Sequence, residues 1–157
     1  MEGAKHNLKN CWWIIDYNRQ SLDGIVFEKL FDKIINLFEL MDWNVEILKY
    51  GSKLQKLKQS KSGKKILKWI DHCPNDLFSA LTYQGGKGWR KTLLEAFSNN
   101  QDTVNLIQSF NDQELNNLMT NLAGHDVESL EIAFSKYINS DKPVSYTHLT
   151  LPTNREV

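Results

Sequence analysis

Polar residues that follow a short apolar run near the start of the chain are the ones best suited to chemistry. The run is Cys11–Tyr17, and Asp16, Asn18, Arg19 and Gln20 stand at or just after its end. Ligands of open α/β sheets bind beyond the carboxyl ends of parallel strands. Magnesium prefers oxygen ligands, and an asparagine side-chain oxygen with a backbone carbonyl two residues away can supply adjacent corners of its octahedron. Polar residues that only close a strand and cap a turn are the simpler interpretation.

A strand–helix–strand pattern positions these residues. The run Cys11–Tyr17 is rich in aromatic and β-branched residues, which predicts a strand buried on both faces, with Trp12 and Trp13 on opposite sides of the sheet. After a turn around Asp23–Gly24, helical spacing of apolar residues over Phe27–Met41 predicts an amphipathic helix. Alternation over Val45–Lys49 predicts a second strand. The pattern is a parallel βαβ unit, so the predicted fold class is α/β.

From Ser52 to Ala123 the pattern changes to helices and loops, which predicts a helical insertion over 52–123. The apolar spacings lie at Leu54–Leu57, Ile66–Ile70, Trp89–Phe97, Val104–Phe110 and Leu115–Leu122, the last opened by a capping box of Asn111 and Glu114. Gly124-His125-Asp126 then starts another helix, with Asp126 as its N-cap. For His125 a role in the turn is expected, with a place near an active-site rim as the alternative.

The sequence Ile-Asp-Tyr-Asn-Arg-Gln-Ser-Leu-Asp-Gly, residues 15–24, resembles the second half of the thiamine-diphosphate motif. That motif opens with Gly-Asp-Gly and closes with an asparagine-bearing strand end. The tripeptide Leu22-Asp23-Gly24 is typical of transketolases and homodimeric pyruvate dehydrogenases. The resemblance implies a partial thiamine-diphosphate-binding fold over 1–143, with the helical insertion inside it.

The resemblance also implies roles for individual residues. Asn18 would give its side-chain oxygen to magnesium and Gln20 its backbone carbonyl, and Leu22 would lie beside the ring of thiamine diphosphate. Asp16 would orient the loop or contact the diphosphate, although many relatives carry asparagine there. The Gly-Asp-Gly, with its charged metal ligand, would lie upstream of Met1, so this chain alone is expected to bind the cofactor poorly. No catalytic residue is assigned, because the family's catalytic histidines and activating glutamate belong to segments outside the chain.

The helical insertion indicates the branch of the family. In transketolases the second strand runs almost directly into the turn that Gly124-His125-Asp126 resembles. An insertion at this place, together with Asp42-Trp43-Asn44-Val45 and Gly88-Trp89-Arg90, resembles homodimeric pyruvate dehydrogenases. The branch implies decarboxylation of a 2-oxo acid and transfer of the acyl group to a lipoyl group. The implied partners are the second subunit of a homodimer, a lipoyl-bearing acyltransferase component and the 2-oxo acid substrate.

Two other functions stay open. A transketolase, which moves two-carbon units between sugars, is the enzymatic alternative. A non-catalytic helical module is the other, using a basic run to bind an acidic partner, although a solvated helix face is the simpler interpretation. The run consists of Lys53, Lys56, Lys58, Lys61, Lys64, Lys65 and Lys68. The glycines of Gln84–Gly88 lack the spacing of a phosphate loop and predict a turn that enters the Trp89 helix.

The composition restricts partners and location. Nineteen basic residues balance 19 acidic ones among 157, so the overall field offers no general attraction for nucleic acid or an anionic membrane. The longest apolar stretch, Cys11–Ile15, is far shorter than the ~20 residues of a membrane helix. Met1–Asn10 lacks the apolar segment of a signal peptide. Two cysteines without CxxC spacing are typical of a reduced, cytoplasmic protein.

The end of the chain, Val144–Val157, is predicted to be a translated sequencing adapter, because codons for its first residues can spell the transposon end used in library preparation. A short terminal strand is the alternative, since Val, Tyr and Thr favour strands. His148 and Arg155 are therefore given no function. The resemblance places the next strand after Pro143. Met1 is interpreted as an internal methionine, so the native sequence is expected to be about 1–143, cut at both ends.

Overall fold

The computed structural model describes residues 8–9, 11–17, 20–21, 24–25 and 30–151, and within them a three-stranded parallel sheet accompanies seven α-helices. The predicted α/β class is confirmed. The strands are β1 (Trp12–Tyr17), β2 (Gln20–Ser21), β3 (Gly24–Ile25), β4 (Asn44–Leu48) and β5 (Val144–Leu149). The helices are α1 (Leu30–Leu40), α2 (Ser52–Leu57), α3 (Lys61–His72), α4 (Asn75–Ala96), α5 (Gln101–Gln108), α6 (Asp112–Met119) and α7 (Val127–Lys136), with a 3-10 turn at Ala123–His125 before α7.

The sheet has the order β1–β5–β4, and both outer strands run parallel to β5. The predicted strand–helix–strand unit is present as β1, α1 and β4, but β5 lies between its two strands. β5 therefore occupies the place after Pro143 at which the next strand was expected. A strand in the middle of a parallel sheet is covered on both faces, and Val144, Tyr146 and Leu149 are accordingly buried.

The prediction that β1 is buried on both faces is wrong. Trp13 and Ile14 are 52% and 53% exposed, because β1 is an edge strand of the described sheet and the helices cover it only in part. The two tryptophans do lie against opposite faces, as predicted, but neither is the core residue that was expected, since Trp12 is 40% exposed as well. Trp12 stacks on Phe134 of α7 with ring centroids 5.6 Å apart, and Trp13 meets Phe38 of α1 edge-on at 5.8 Å.

Residues 52–123, called the helical segment below, pack α2 to α6 around an apolar core that also includes Leu149 of β5. Trp89 is fully buried at its centre, with its ring 5.2 Å from that of Phe78. The predicted capping box is confirmed, since Glu114 N donates to Asn111 Oδ1 and Asn111 N to Glu114 Oε2, both at 2.8 Å. The turn predicted at Gln84–Gly88 is a kink within α4, made by a positive φ of 70° at Gly85. No helix among the described residues is long and apolar enough to cross a membrane.

Arg90 on α4 holds the connection between α5 and α6. Its Nε donates to Asp112 Oδ1 at 2.6 Å, its Nη1 to Ile107 O at 3.2 Å and its Nη2 to Phe110 O at 2.6 Å. The planar guanidinium reaches all three acceptors at once, which a lysine ammonium does less well. Arg90 thereby satisfies carbonyls at the end of one helix and the side chain that starts the next.

We expect Arg90→Met to lower the free energy of unfolding by about 2–3 kcal/mol, because two backbone carbonyls and a carboxylate lose a charged donor. Urea unfolding followed by circular dichroism measures the change. The matched control is Lys91→Met, since Lys91 is exposed on the same helix and surface changes usually stay within about 0.5 kcal/mol. Equal effects of the two substitutions would contradict the assignment.

Candidate functional site

The carboxyl ends of β1 and β5 meet at one edge of the sheet, where Asp16 lies beside His148 in the parallel ladder. The Asp16 carboxylate accepts a hydrogen bond from the Thr150 hydroxyl, and its Oδ1 lies 3.9 Å from His148 Nε2. Asp16 stays exposed, with 58% of its side chain accessible. A ligand at this edge, the usual place for ligands of parallel sheets, can therefore reach it.

The rest of the predicted cofactor motif follows Asp16 along the chain. Gln20 begins β2, which pairs antiparallel with β3 and sets Gln20 opposite Ile25, and Gly24 of the predicted turn is the first residue of β3. Asn18 and Leu22 lie outside the described residues. No group of three or more His, Cys, Asp or Glu side chains in the described part of the chain is arranged to hold a metal ion. The predicted ligands, an amide oxygen and a backbone carbonyl, are of other types.

The Gly-His-Asp turn lies beside the chain that follows β5. His125 ends the 3-10 turn that precedes α7, which confirms its expected role as a turn residue. Its Nε2 accepts a hydrogen bond from Leu151 N at 2.9 Å. The turn and the end of β5 are thus held together.

Asp126 joins three parts of the chain through one buried carboxylate. It caps α7 as predicted, with Oδ1 accepting from Ser129 N at 2.9 Å. Its Oδ2 accepts from the Ser52 backbone N at 3.0 Å, from Ser52 Oγ at 2.8 Å and from Asn121 Nδ2 at 3.1 Å. Sequence reasoning found the cap but missed Ser52 and Asn121. A helical pattern shows only neighbours within a turn, and Ser52 is 74 residues away.

The backbone closes the same junction between the sheet and the helical segment. Gly51 N donates to Asn121 O, and Lys53 N donates to Asn121 Oδ1, each at 2.8 Å. A Cβ on Gly51 would lie only 2.5 Å from Asn121 Oδ1, so a side chain at this position would displace Asn121. The helical segment therefore leaves β4 and returns to the Gly-His-Asp turn at adjacent points.

The junction keeps the Asp126 carboxyl ionised. Burial raises its pKa, but the hydrogen bonds from Ser129, Asn121 and Ser52 together outweigh burial and hold the pKa well below its usual range. In the unfolded chain the pKa returns to about 3.9. The stability that the carboxylate contributes is thus fully present above that value and is lost as the pH falls toward the lower pKa of the folded state.

We expect Asp126→Asn to lower the free energy of unfolding by about 1–3 kcal/mol at pH 7. Asparagine caps helices about as well as aspartate, so the loss reports the bonds from Ser52 and Asn121. The deficit should shrink below about pH 4, where the native carboxylate loses its contribution. Urea unfolding at neutral and acidic pH measures it, with Glu128→Gln, an exposed acid on α7, as control. A deficit that is constant with pH would contradict the account.

The described residues form an α/β protein with a parallel sheet, and Asp16 lies exposed at the carboxyl end of one of its strands. No protein-family model matches the chain. The chain is similar to the pyruvate dehydrogenase E1 component of Buchnera aphidicola subsp. Baizongia pistaciae (strain Bp), with 27% identity over 135 residues. It is similar also to those of Escherichia coli strain K12 and Escherichia coli O157:H7, with 25% identity over 135 residues each.

These matches cover 85% of this chain and 15% of each relative. The chain therefore spans about 15% of the length of the curated relatives that it matches. The similarity supports a relation to part of a pyruvate dehydrogenase E1 component.

Proposed function

We propose that the chain is a segment of a pyruvate dehydrogenase E1-type component, an enzyme that uses thiamine diphosphate and magnesium to decarboxylate a 2-oxo acid. The similarity to two Escherichia coli E1 components and one from Buchnera aphidicola supports the proposal. The activity is proposed for the whole protein, because the chain spans 15% of those relatives. The half-exposed apolar side chains of β1 are consistent with further protein covering that strand.

The similarity to three E1 components carries the choice of enzyme class, and the closed junction of Asp126 with Ser52 and Asn121 fits that choice. A long segment can be added between a strand and a turn without disturbing either when its two ends lie side by side. The helical segment meets this condition. A transketolase, in which the strand runs almost directly into the turn, is supported less well, since the helical segment has no counterpart there.

The proposed cofactor site extends from Asp16 along the motif. Asn18 would bind magnesium through its side-chain oxygen and Gln20 through its backbone carbonyl, and Leu22 would lie beside the cofactor ring. An amide oxygen and a carbonyl fit magnesium, which takes oxygen ligands and obtains the rest from phosphate and water. Asp16, exposed at the edge of the sheet, would orient the loop that carries these ligands. The assignments for Asn18 and Leu22 rest on the motif, because these residues lie outside the described part of the chain.

When bound, thiamine diphosphate supplies the carbanion chemistry that cleaves a 2-oxo acid. The residues of this chain would hold magnesium, position the diphosphate end and support the loop, and no proton transfer is assigned to them. A second subunit would complete the site, and a lipoyl group of an acyltransferase component would accept the acyl group. A cytoplasmic location is proposed for the enzyme, because two cysteines without CxxC spacing are typical of a reducing compartment.

We expect Asn18→Ala in the full-length protein to weaken magnesium-dependent binding of thiamine diphosphate by at least about tenfold, because a metal ligand is lost. Isothermal titration with and without magnesium measures the affinity. Asn99→Ala is the matched control, since Asn99 is exposed after α4 and lies outside the motif. An unchanged affinity of Asn18→Ala for thiamine diphosphate, with native-like circular dichroism, would contradict the proposed site.

A further inference from the structure

Charge is strongly segregated along the helical segment and the helix that follows it. Between Lys49 and Ile70 the chain has eight lysines and no acidic residue. Between Thr92 and Ser135 it has seven acidic residues and no lysine or arginine. A cluster of one sign produces a local potential that the balanced net charge of the chain does not reveal.

The lysines point to solvent. Lys61, Lys64, Lys65 and Lys68 share one face of α3, because they are three or four residues apart, while Ile66, Leu67 and Ile70 on the opposite face are buried. Lys53 and Lys56 are exposed on α2. Of the lysines from 49 to 68, Lys49 pairs with Asp71. The others form no ion pair with any described residue.

A groove lies between α2 and the end of α5 with α6, and two of these lysines line it. Its volume is about 590 Å³, and Lys53, Lys56, Leu57, Phe110, Glu114 and Leu118 are among the residues that line it. Leu57, Phe110 and Leu118 provide an apolar floor beside the two ammonium groups. The Glu114 carboxylate already accepts a hydrogen bond from Asn111 N at 2.8 Å within the capping box. The groove thus combines an apolar surface with cations that have no described partner.

We propose that this groove docks an acidic peptide segment of a partner protein. Carboxylates of the peptide would meet Lys53 and Lys56, and an apolar side chain between them would rest on Leu57, Phe110 and Leu118. Proteins commonly bind extended peptides by holding alternate side chains in pockets, and they recognise acidic motifs with clusters of basic side chains. Charge complementarity adds specificity and speeds association. Single-stranded nucleic acid is favoured less, because it requires several aromatic platforms for base stacking. The proposal does not depend on the cofactor site.

The test uses a fluorescein-labelled peptide that alternates Glu-Glu and Leu, titrated with the 157-residue chain at low salt and followed by fluorescence anisotropy. We expect Lys53→Gln/Lys56→Gln to weaken binding about tenfold, because two charge contacts are lost. Lys87→Gln/Lys91→Gln removes the same charge from exposed positions of α4 and should change affinity less than about twofold, since distant charges are screened. A peptide with Ser for Leu should bind several-fold more weakly.

Several results would overturn the proposal. If both double variants lost the same binding affinity, the peptide would be attracted by net charge alone and not by the groove. If a peptide with Gln in place of Glu bound as tightly as the acidic peptide, the carboxylates would not contribute to binding. Stronger binding of a single-stranded oligonucleotide of the same charge would make nucleic acid the ligand. Self-association in sedimentation velocity that disappears in Lys53→Gln/Lys56→Gln would make a second copy of the chain the occupant.

Discussion

A single buried carboxylate, that of Asp126, receives hydrogen bonds from Ser52, Asn121 and Ser129 and so joins the start of α2, the chain after α6 and the start of α7. A buried charge is costly unless its hydrogen-bonding capacity is filled, and here the donors fill both oxygens. Because Ser52 and Asn121 stand at the two ends of the helical segment, the same carboxylate fixes where that segment leaves the sheet and where it returns. The helices beyond the junction form a core around Trp89 that also includes Leu149 of β5, so the helical segment packs against the end of the sheet.

The sheet depends on β5 in a different way. Both β1 and β4 pair with it, so the edge that carries Asp16 exists only because a strand occupies the middle position. The residues that occupy it, Val144–Leu149, belong to the segment predicted to be adapter-derived. Val, Tyr and Thr favour strands, and such a sequence can fill an open position between two parallel strands whatever its origin. The position of β5 between β1 and β4 therefore does not reveal the origin of the segment, and no function is assigned to His148 or Thr150.

Local patterns predicted much of the fold, because they depend on neighbours a few residues apart. The caps at Asn111 and Asp126 and the strand at Asn44–Leu48 are confirmed for that reason. The edge position of β1 was not predictable. An apolar run indicates that a strand is buried in the complete protein, but it carries no information on the order of strands in the sheet. The contacts of Arg90 and Ser52 join residues far apart in sequence. For the cofactor site, Asp16 lies at a strand end as its pattern indicated, and the metal-binding roles of Asn18 and Gln20 stay predictions.

We propose that Asp16 to Gly24 forms the second half of a thiamine-diphosphate motif whose first half precedes it. The sequence of the gene upstream of the Met1 codon tests this most directly. We expect an in-frame Gly-Asp-Gly at about the length of one βαβ unit, roughly 30 residues, before Asn18. An open reading frame that continues well beyond that distance without Gly-Asp-Gly, or a stop codon in its place, would contradict it.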